Sequence, residues 1–167
     1  MVRVMATGVF DLLHPGHLYF LREARKLGDE LVVVVARDST ARRFKHEPIM
    51  AEASRVQLVE ALKAVDRAVL GHEGDIYEIL DEIRPDVIAI GFDQVHDENR
   101  ILEECRKRGL ATKVVRLPKF EGDLDGTRKI VRKVAEWLAL QERLSEIERG
   151  KPLPGPDPPA ARRRKRP

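Results

Sequence analysis

Two histidines stand three residues apart around a proline and a glycine, His14-Pro15-Gly16-His17. They follow a short apolar stretch that ends in Thr7-Gly8-Val9-Phe10-Asp11. Pro15 suits the first turn of a helix, where no amide hydrogen is needed. Gly16 leaves room for another molecule to approach the backbone. The spacing of three puts both imidazoles on one side of that turn, beside its open amides and the positive end of the helix dipole. Such a construction suits a polyanion, with phosphate the first choice. Imidazoles placed there can donate hydrogen bonds to phosphate oxygens that gain charge in a transition state. Two other readings compete. With Asp11 the pair would be a partial zinc site, but no cysteine or evident supporting carboxylate lies near. As capping and packing residues one histidine would be ordinary, whereas two flanking Pro-Gly directly after a strand favour the anion.

The elements that must position this pair alternate along the chain. Val2–Thr7 reads as a buried strand and His17–Gly28 as a helix, with Leu18, Leu21, Ala24 and Leu27 on one face. The run Leu31–Ala36 is β-branched, as in strands buried on both faces. A helix over 52–64 follows, then a strand at 68–70, a helix over 75–83 and a strand over 86–91. A helix over 98–108, a strand over 111–117 and a long helix from Thr127 to about Arg149 complete the order. Repeated strand–helix units imply right-handed crossovers and a five-stranded, doubly wound, Rossmann-like α/β parallel sheet with helices on both faces. Ligands bind such sheets beyond the carboxyl ends of the strands. Unusual polar sets collect there: Asp11, His14 and His17; Arg37 and Asp38; Gly91, Phe92, Asp93 and Gln94; and Lys119, Phe120 and the approach to Thr127.

At 167 residues the chain is long enough for one hydrophobic core and short for two domains. The expected division is a folded domain over 1–149 and a Pro-rich basic tail over 150–167, read as disordered. Six basic residues stand in that tail against Asp157 alone, and the whole chain is +3, so residues 1–149 carry a net −2. Basicity is therefore a property of the tail, nothing aromatic is interleaved to stack bases, and nucleic acid is not an expected partner. No apolar run approaches a membrane span, so no membrane partner is expected. The N-terminus reads as a strand rather than a signal peptide. The single cysteine, Cys105, reads as a semi-buried thiol, and together these features fit a reducing cytoplasm.

The pattern Thr7-Gly8-x-Phe10-Asp11-x-x-His14-x-Gly16-His17, set between a strand and a helix, resembles the HxGH signature of the nucleotidylyltransferase superfamily. Val35–Asp38, Lys45 with Pro48-Ile49, Arg55 on its helix and Gly91–Gln94 follow in the order of the cytidylyltransferase-like branch. They are most similar to the archaeal FAD synthase family. The chain departs from many cytidylyltransferases at residues 125–131, where only Thr127 and Lys129-Ile130 match the segment that starts the last helix.

The resemblance implies transfer of AMP from ATP to FMN, giving FAD and pyrophosphate, with no protein nucleophile. It implies catalytic roles for His14, His17 and Lys45. Val9, Phe10, Pro15, Gly16, Gly91, Asp93, Gln94, Phe120 and Thr127 would join both histidines in holding the nucleotide, and Asp11, Asp38 and Arg55 would hold the acceptor. Arg55, on an amphipathic helix, also reads as an exposed charge. Phe44, Phe92 and Phe120 are candidate walls for the flavin ring. Magnesium or a similar divalent cation would be held mainly by the nucleotide phosphates, with no metal ligands in the protein. The alternatives are a CTP-dependent transferase acting on a small phosphorylated alcohol, such as glycerol 3-phosphate, and a non-catalytic nucleotide- or RNA-binding module. The last helix carries Val134, Trp137, Leu138, Leu144 and Ile147, more apolar surface than a cover helix needs, so a homodimer through it is expected.

Overall fold

The structure is a computed structural model that describes residues 1–44, 47–94 and 97–149, without the side chain of Phe44. Chain contacts divide it into two units, residues 1–129 and residues 130 onward. The first unit is built on five parallel strands: β1 (Arg3–Gly8), β2 (Glu30–Val35), β3 (Arg67–Leu70), β4 (Val87–Ile90) and β5 (Lys113–Arg116). Their order across the sheet is β3-β2-β1-β4-β5. The chain winds outward from β1 to β3, then returns to the other side of β1 for β4 and β5. The switch of direction falls between β1 and β4, where Ala6 lies opposite Ala89.

Both faces of the sheet are covered, which explains the unbroken apolar runs. On one face Val4, Ala6, Leu31, Val33 and Val35 pack with Leu21 and Ala24 of α1 (Pro15–Arg25) and Val59 of α3 (Glu52–Glu60). On the other, Met5, Val32, Val34, Ile88 and Ile90 meet Ile79, Leu80 and Ile83 of α4 (Ile79–Ile83) and Ile101 and Cys105 of α5 (Glu98–Lys107). The alternation along β1 and β2 is the period-two pattern of a strand buried on both sides. Cys105 is part of that core.

Two elements differ from expectation. The helix expected from Asp75 begins only at Ile79, because Gly74 takes a left-handed φ of 88° and the Asp75 carboxylate accepts the Tyr77 amide at 2.9 Å, closing a turn first. A seven-residue helix, α2 (Asp38–Phe44), follows β2.

The second unit is described over residues 130–149, all but the last of them in α6 (Thr127–Glu148). No residue of that helix is buried, and Val134, Trp137, Leu138, Leu144 and Ile147 are all exposed. Among the described residues no helix is long and apolar enough to cross a membrane.

Candidate active site

The loop between β1 and α1 carries the two histidines and is wound tightly. Phe10 and Leu12 adopt left-handed backbone with φ of 52° and 47°, conformations that cost roughly 1–3 kcal/mol each in non-glycine residues. Asp11 between them is buried, and its two carboxylate oxygens accept the amides of Ile49 and Met50 at 2.8 and 2.9 Å. Its carbonyl accepts the Thr127 hydroxyl at 2.7 Å. Asp11 is thus a clamp on its own loop. Thr127, at the start of α6, spends its hydroxyl on the same loop.

His14 is the N-cap of α1 and Pro15 its first residue, as the sequence indicated. The rings of His14 and His17 stack with centroids 3.7 Å apart and planes 24° from parallel. Phe10, itself buried, meets the edge of the His17 ring at 5.3 Å. Burial pushes the His14 imidazole below its ordinary value, partly offset by the negative charges of Asp125 and Asp93. The partner that approaches Gly16 is the chain itself. A Cβ on Gly16 would lie 2.7 Å from the Asp125 carbonyl oxygen. Asp125 escaped the sequence reading. Its carboxylate is nearly buried, ion-paired to Lys129 at 2.6 Å and Lys119 at 3.7 Å, and Lys129 holds it below the ordinary carboxylate range.

Arg55 is fully buried, not the exposed charge that its amphipathic helix also allowed. Its guanidinium donates to the carbonyls of Met50 (3.0 Å), Ala36 (2.8 Å) and Val9, and to the Asp38 carboxylate at 2.6 Å. Arg55 therefore ties together the segments following β1 and β2 and the segment leading into α3. Asp38 is engaged on both oxygens, since it also accepts the Glu52 amide at 3.3 Å, while Glu52 accepts the Asp38 amide at 2.7 Å. Arg55 holds the Asp38 carboxyl below the usual range. Glu52, which also bonds Arg37 at 2.9 Å, belongs to this network and carried no sequence signal beyond its place at a helix start.

The β4 side of the switch closes the site. The Gln94 side chain donates to the Thr7 carbonyl at 2.6 Å and accepts the Gly91 amide at 3.0 Å, bridging the ends of β1 and β4. Asp93 is exposed. Phe92 is about half exposed with the Lys119 ammonium 5.6 Å from its ring centroid, and Phe120 packs on Tyr19 at 5.4 Å. Lys45 lies outside the described residues. Among the described residues no group of three or more His, Cys, Asp or Glu is arranged to hold a metal ion.

The site thus presents a stacked imidazole pair at a helix N-terminus, flanked by Lys119 and Lys129 on the α6 side and by Arg37 on the β2 side. Comparison with known proteins agrees with that chemistry. The Cytidylyltransferase-like family matches residues 5–149. The FAD synthase of Aciduliprofundum boonei is 66% identical over 137 residues, covering 81% of this chain and 92% of the relative. That of Thermoplasma volcanium is 52% identical over 138 residues, covering 83% and 97%. A crystal structure described as the lipopolysaccharide core biosynthesis protein of Thermoplasma volcanium superposes with a TM-score of 0.70 at 55% identity, covering 72% of this chain and 99% of that one. A pantoate-beta-alanine ligase from Francisella tularensis shares the fold alone, with a TM-score of 0.52 at 16% identity. The chain belongs to the cytidylyltransferase-like family and, within it, to the FAD synthases, which makes it a nucleotidyltransferase.

Proposed function

We infer that the chain transfers AMP from ATP to the phosphate of FMN, forming FAD and releasing pyrophosphate. The observation that carries this reading is the stacked His14–His17 pair at the N-terminus of α1, on the central strand's carboxyl end, in a chain so close to FAD synthases. An oxygen of the FMN phosphate attacks the α-phosphorus in line. A new P–O bond forms, the bond to the β-phosphate's bridging oxygen breaks, and pyrophosphate leaves. The protein positions both substrates and stabilises charge.

His14 sits with Nδ1 facing the His17 amide at 3.4 Å, which places its proton on Nε2 as a donor to a phosphate oxygen. Its lowered pKa keeps it neutral at pH 7, so it donates without adding a fixed charge. Val9, Phe10, Pro15 and Gly16 supply the backbone beside the phosphates. Gly91, Asp93, Gln94 and Phe120 border the nucleoside, with Asp93 the group suited to a ribose hydroxyl or base amino group. Lys45 is assigned to the phosphates by resemblance alone. A divalent cation such as magnesium would enter on the triphosphate and screen its charge.

We assign residues 1–149 to the transferase domain and 150–167 to an appended tail, and the apolar face of α6 to a second copy of the chain. The reaction is tested by offering FMN with ATP or CTP and magnesium and resolving flavins by chromatography. FAD from ATP alone is expected. Pyrophosphate from CTP with glycerol 3-phosphate, and no FAD, would overturn it.

A further inference from the structure

A cavity of about 520 Å³ opens at the carboxyl edge of the sheet on the α4–α5 face, opposite the face covered by α1. That volume lies within the roughly 300–1,000 Å³ of pockets for drug-sized ligands. Its floor is aliphatic, from Met5, Val34, Ile79, Leu80, Ile88 and Ile90. One wall is Thr7, Gly8 and Val9, the backbone that runs directly into the histidine loop. The opposite wall is the turn after β3, where Tyr77 presents a half-buried ring with the Arg100 guanidinium 5.7 Å from its centroid. Arg37 and Arg43 border it from the β2 side.

We propose that this cavity takes the isoalloxazine ring of FMN, with Tyr77 as the side chain that stacks on it and sets acceptor specificity. The proposal rests on the reaction inferred above. In-line displacement requires the acceptor and the leaving pyrophosphate to lie on opposite sides of the α-phosphorus. Lys119 and Lys129 pair with Asp125 on the α6 side of the histidines, which gives that side to the triphosphate and leaves the cavity on the α4–α5 face, with Gln94 at its border with the nucleoside, to the acceptor. A three-ring flavin matches this lining end to end: its dimethylbenzene end fits the aliphatic floor, and its pyrimidine edge needs polar partners of the kind that Thr7, Gln94 and Asp97 offer at the rim. Arg37 and Arg43 lie where an acceptor phosphate would pass from the cavity to the histidines. Phe92 and Phe120, candidate walls by sequence, do not line the cavity, and the side chain of Phe44 lies outside the described residues.

The test is flavin fluorescence titrated with full-length enzyme, alongside KM for each substrate. A stacked tyrosine quenches flavin emission. Tyr77→Ala should weaken FMN binding by about 5- to 30-fold and restore emission, with KM for ATP unchanged, and Tyr77→Phe should bind as wild type. Thr40→Trp, which fills the cavity from α2, should weaken FMN binding at least as much. If both Tyr77→Ala and Thr40→Trp bind and quench FMN as wild type does, or raise KM for ATP instead, the assignment is wrong although the reaction stands. A wild-type enzyme that makes no FAD would overturn the reaction itself, and the assignment with it.

Discussion

Replacing Arg55 by methionine keeps the apolar stem and removes the guanidinium. It leaves the carbonyls of Val9, Ala36 and Met50 and the carboxylate of Asp38 without the group that joins them. Removing one partner of a buried ion pair costs about 3–5 kcal/mol. The Asp38 side chain keeps about a quarter of its surface in solvent and the carbonyls border loops that water can enter, which favours the lower half of that range. Against a total stability of about 5–15 kcal/mol the variant still folds, and it should melt roughly 6–16 °C below wild type for a chain of this size. The deficit should depend on pH. Arg55 holds the Asp38 carboxyl below its ordinary 3.8, so the pair's stabilisation is fully present above that pH and is lost as pH falls through the native value. Melting curves by circular dichroism taken from pH 7 downward should show the gap between the two proteins narrowing in acid, with the share due to the three carbonyls remaining. Arg55→Lys should fall between them, because one ammonium cannot span four acceptors in a plane. An Arg55→Met protein melting within 2 °C of wild type at pH 7 would refute the view that this side chain holds the three segments in place.

His14→Ala and His17→Ala should each lower kcat by about 10²- to 10³-fold while FMN titrations remain as in wild type; a loss confined to KM would deny them a transition-state role. Asp125→Asn removes a charge that raises the His14 pKa, so the acid limb of kcat/KM, already expected below the ordinary 6.5, should move to still lower pH; movement to higher pH contradicts the assignment. Gly16→Ala must displace the Asp125 carbonyl, which a Cβ would approach to 2.7 Å, and should reduce both kcat and melting temperature, whereas full activity would mean that this approach is not tight. Trp137→Glu, on the exposed face of α6, should give the monomer mass in sedimentation at micromolar concentration where the wild type gives the dimer; equal masses for the two proteins would remove α6 from the interface.

The sheet was legible because its inner strands are buried on both faces, so Leu31–Val35 and Val87–Ile90 read as apolar runs without ambiguity. The histidine loop was legible because Pro15, Gly16 and two imidazoles each have a local reason to stand there. Asp11, Asp38 and Arg55 stood out in the sequence, but the intramolecular partners that hold them did not. A charged side chain on an amphipathic helix looks the same in sequence whether it faces water or four buried acceptors, and the acceptors of Arg55 are backbone groups that any residue supplies. Asp125 and Glu52 were missed for the same reason: each acts through partners brought by the fold rather than by spacing. Tyr77 stood inside an expected helix, where a single aromatic residue reads as packing. Gly74 and the Asx turn at Asp75 turn that segment into a cavity wall, and such a turn competes with helix on terms that local propensity does not resolve.

The three bonds made by Asp11 bear on the order in which the protein is made. Its carboxylate is held from residues 38 and 39 positions downstream, and its carbonyl from 116 positions downstream. A nascent chain that has emerged as far as Leu117 has all five strands and can complete the sheet, yet it lacks Thr127. The strained turn at Phe10 and Leu12 then has only one of its two anchors. The fold can therefore form during synthesis before the loop that bears His14 and His17 is fixed. Competence to handle nucleotide therefore waits until the last helix begins, after the sheet is complete.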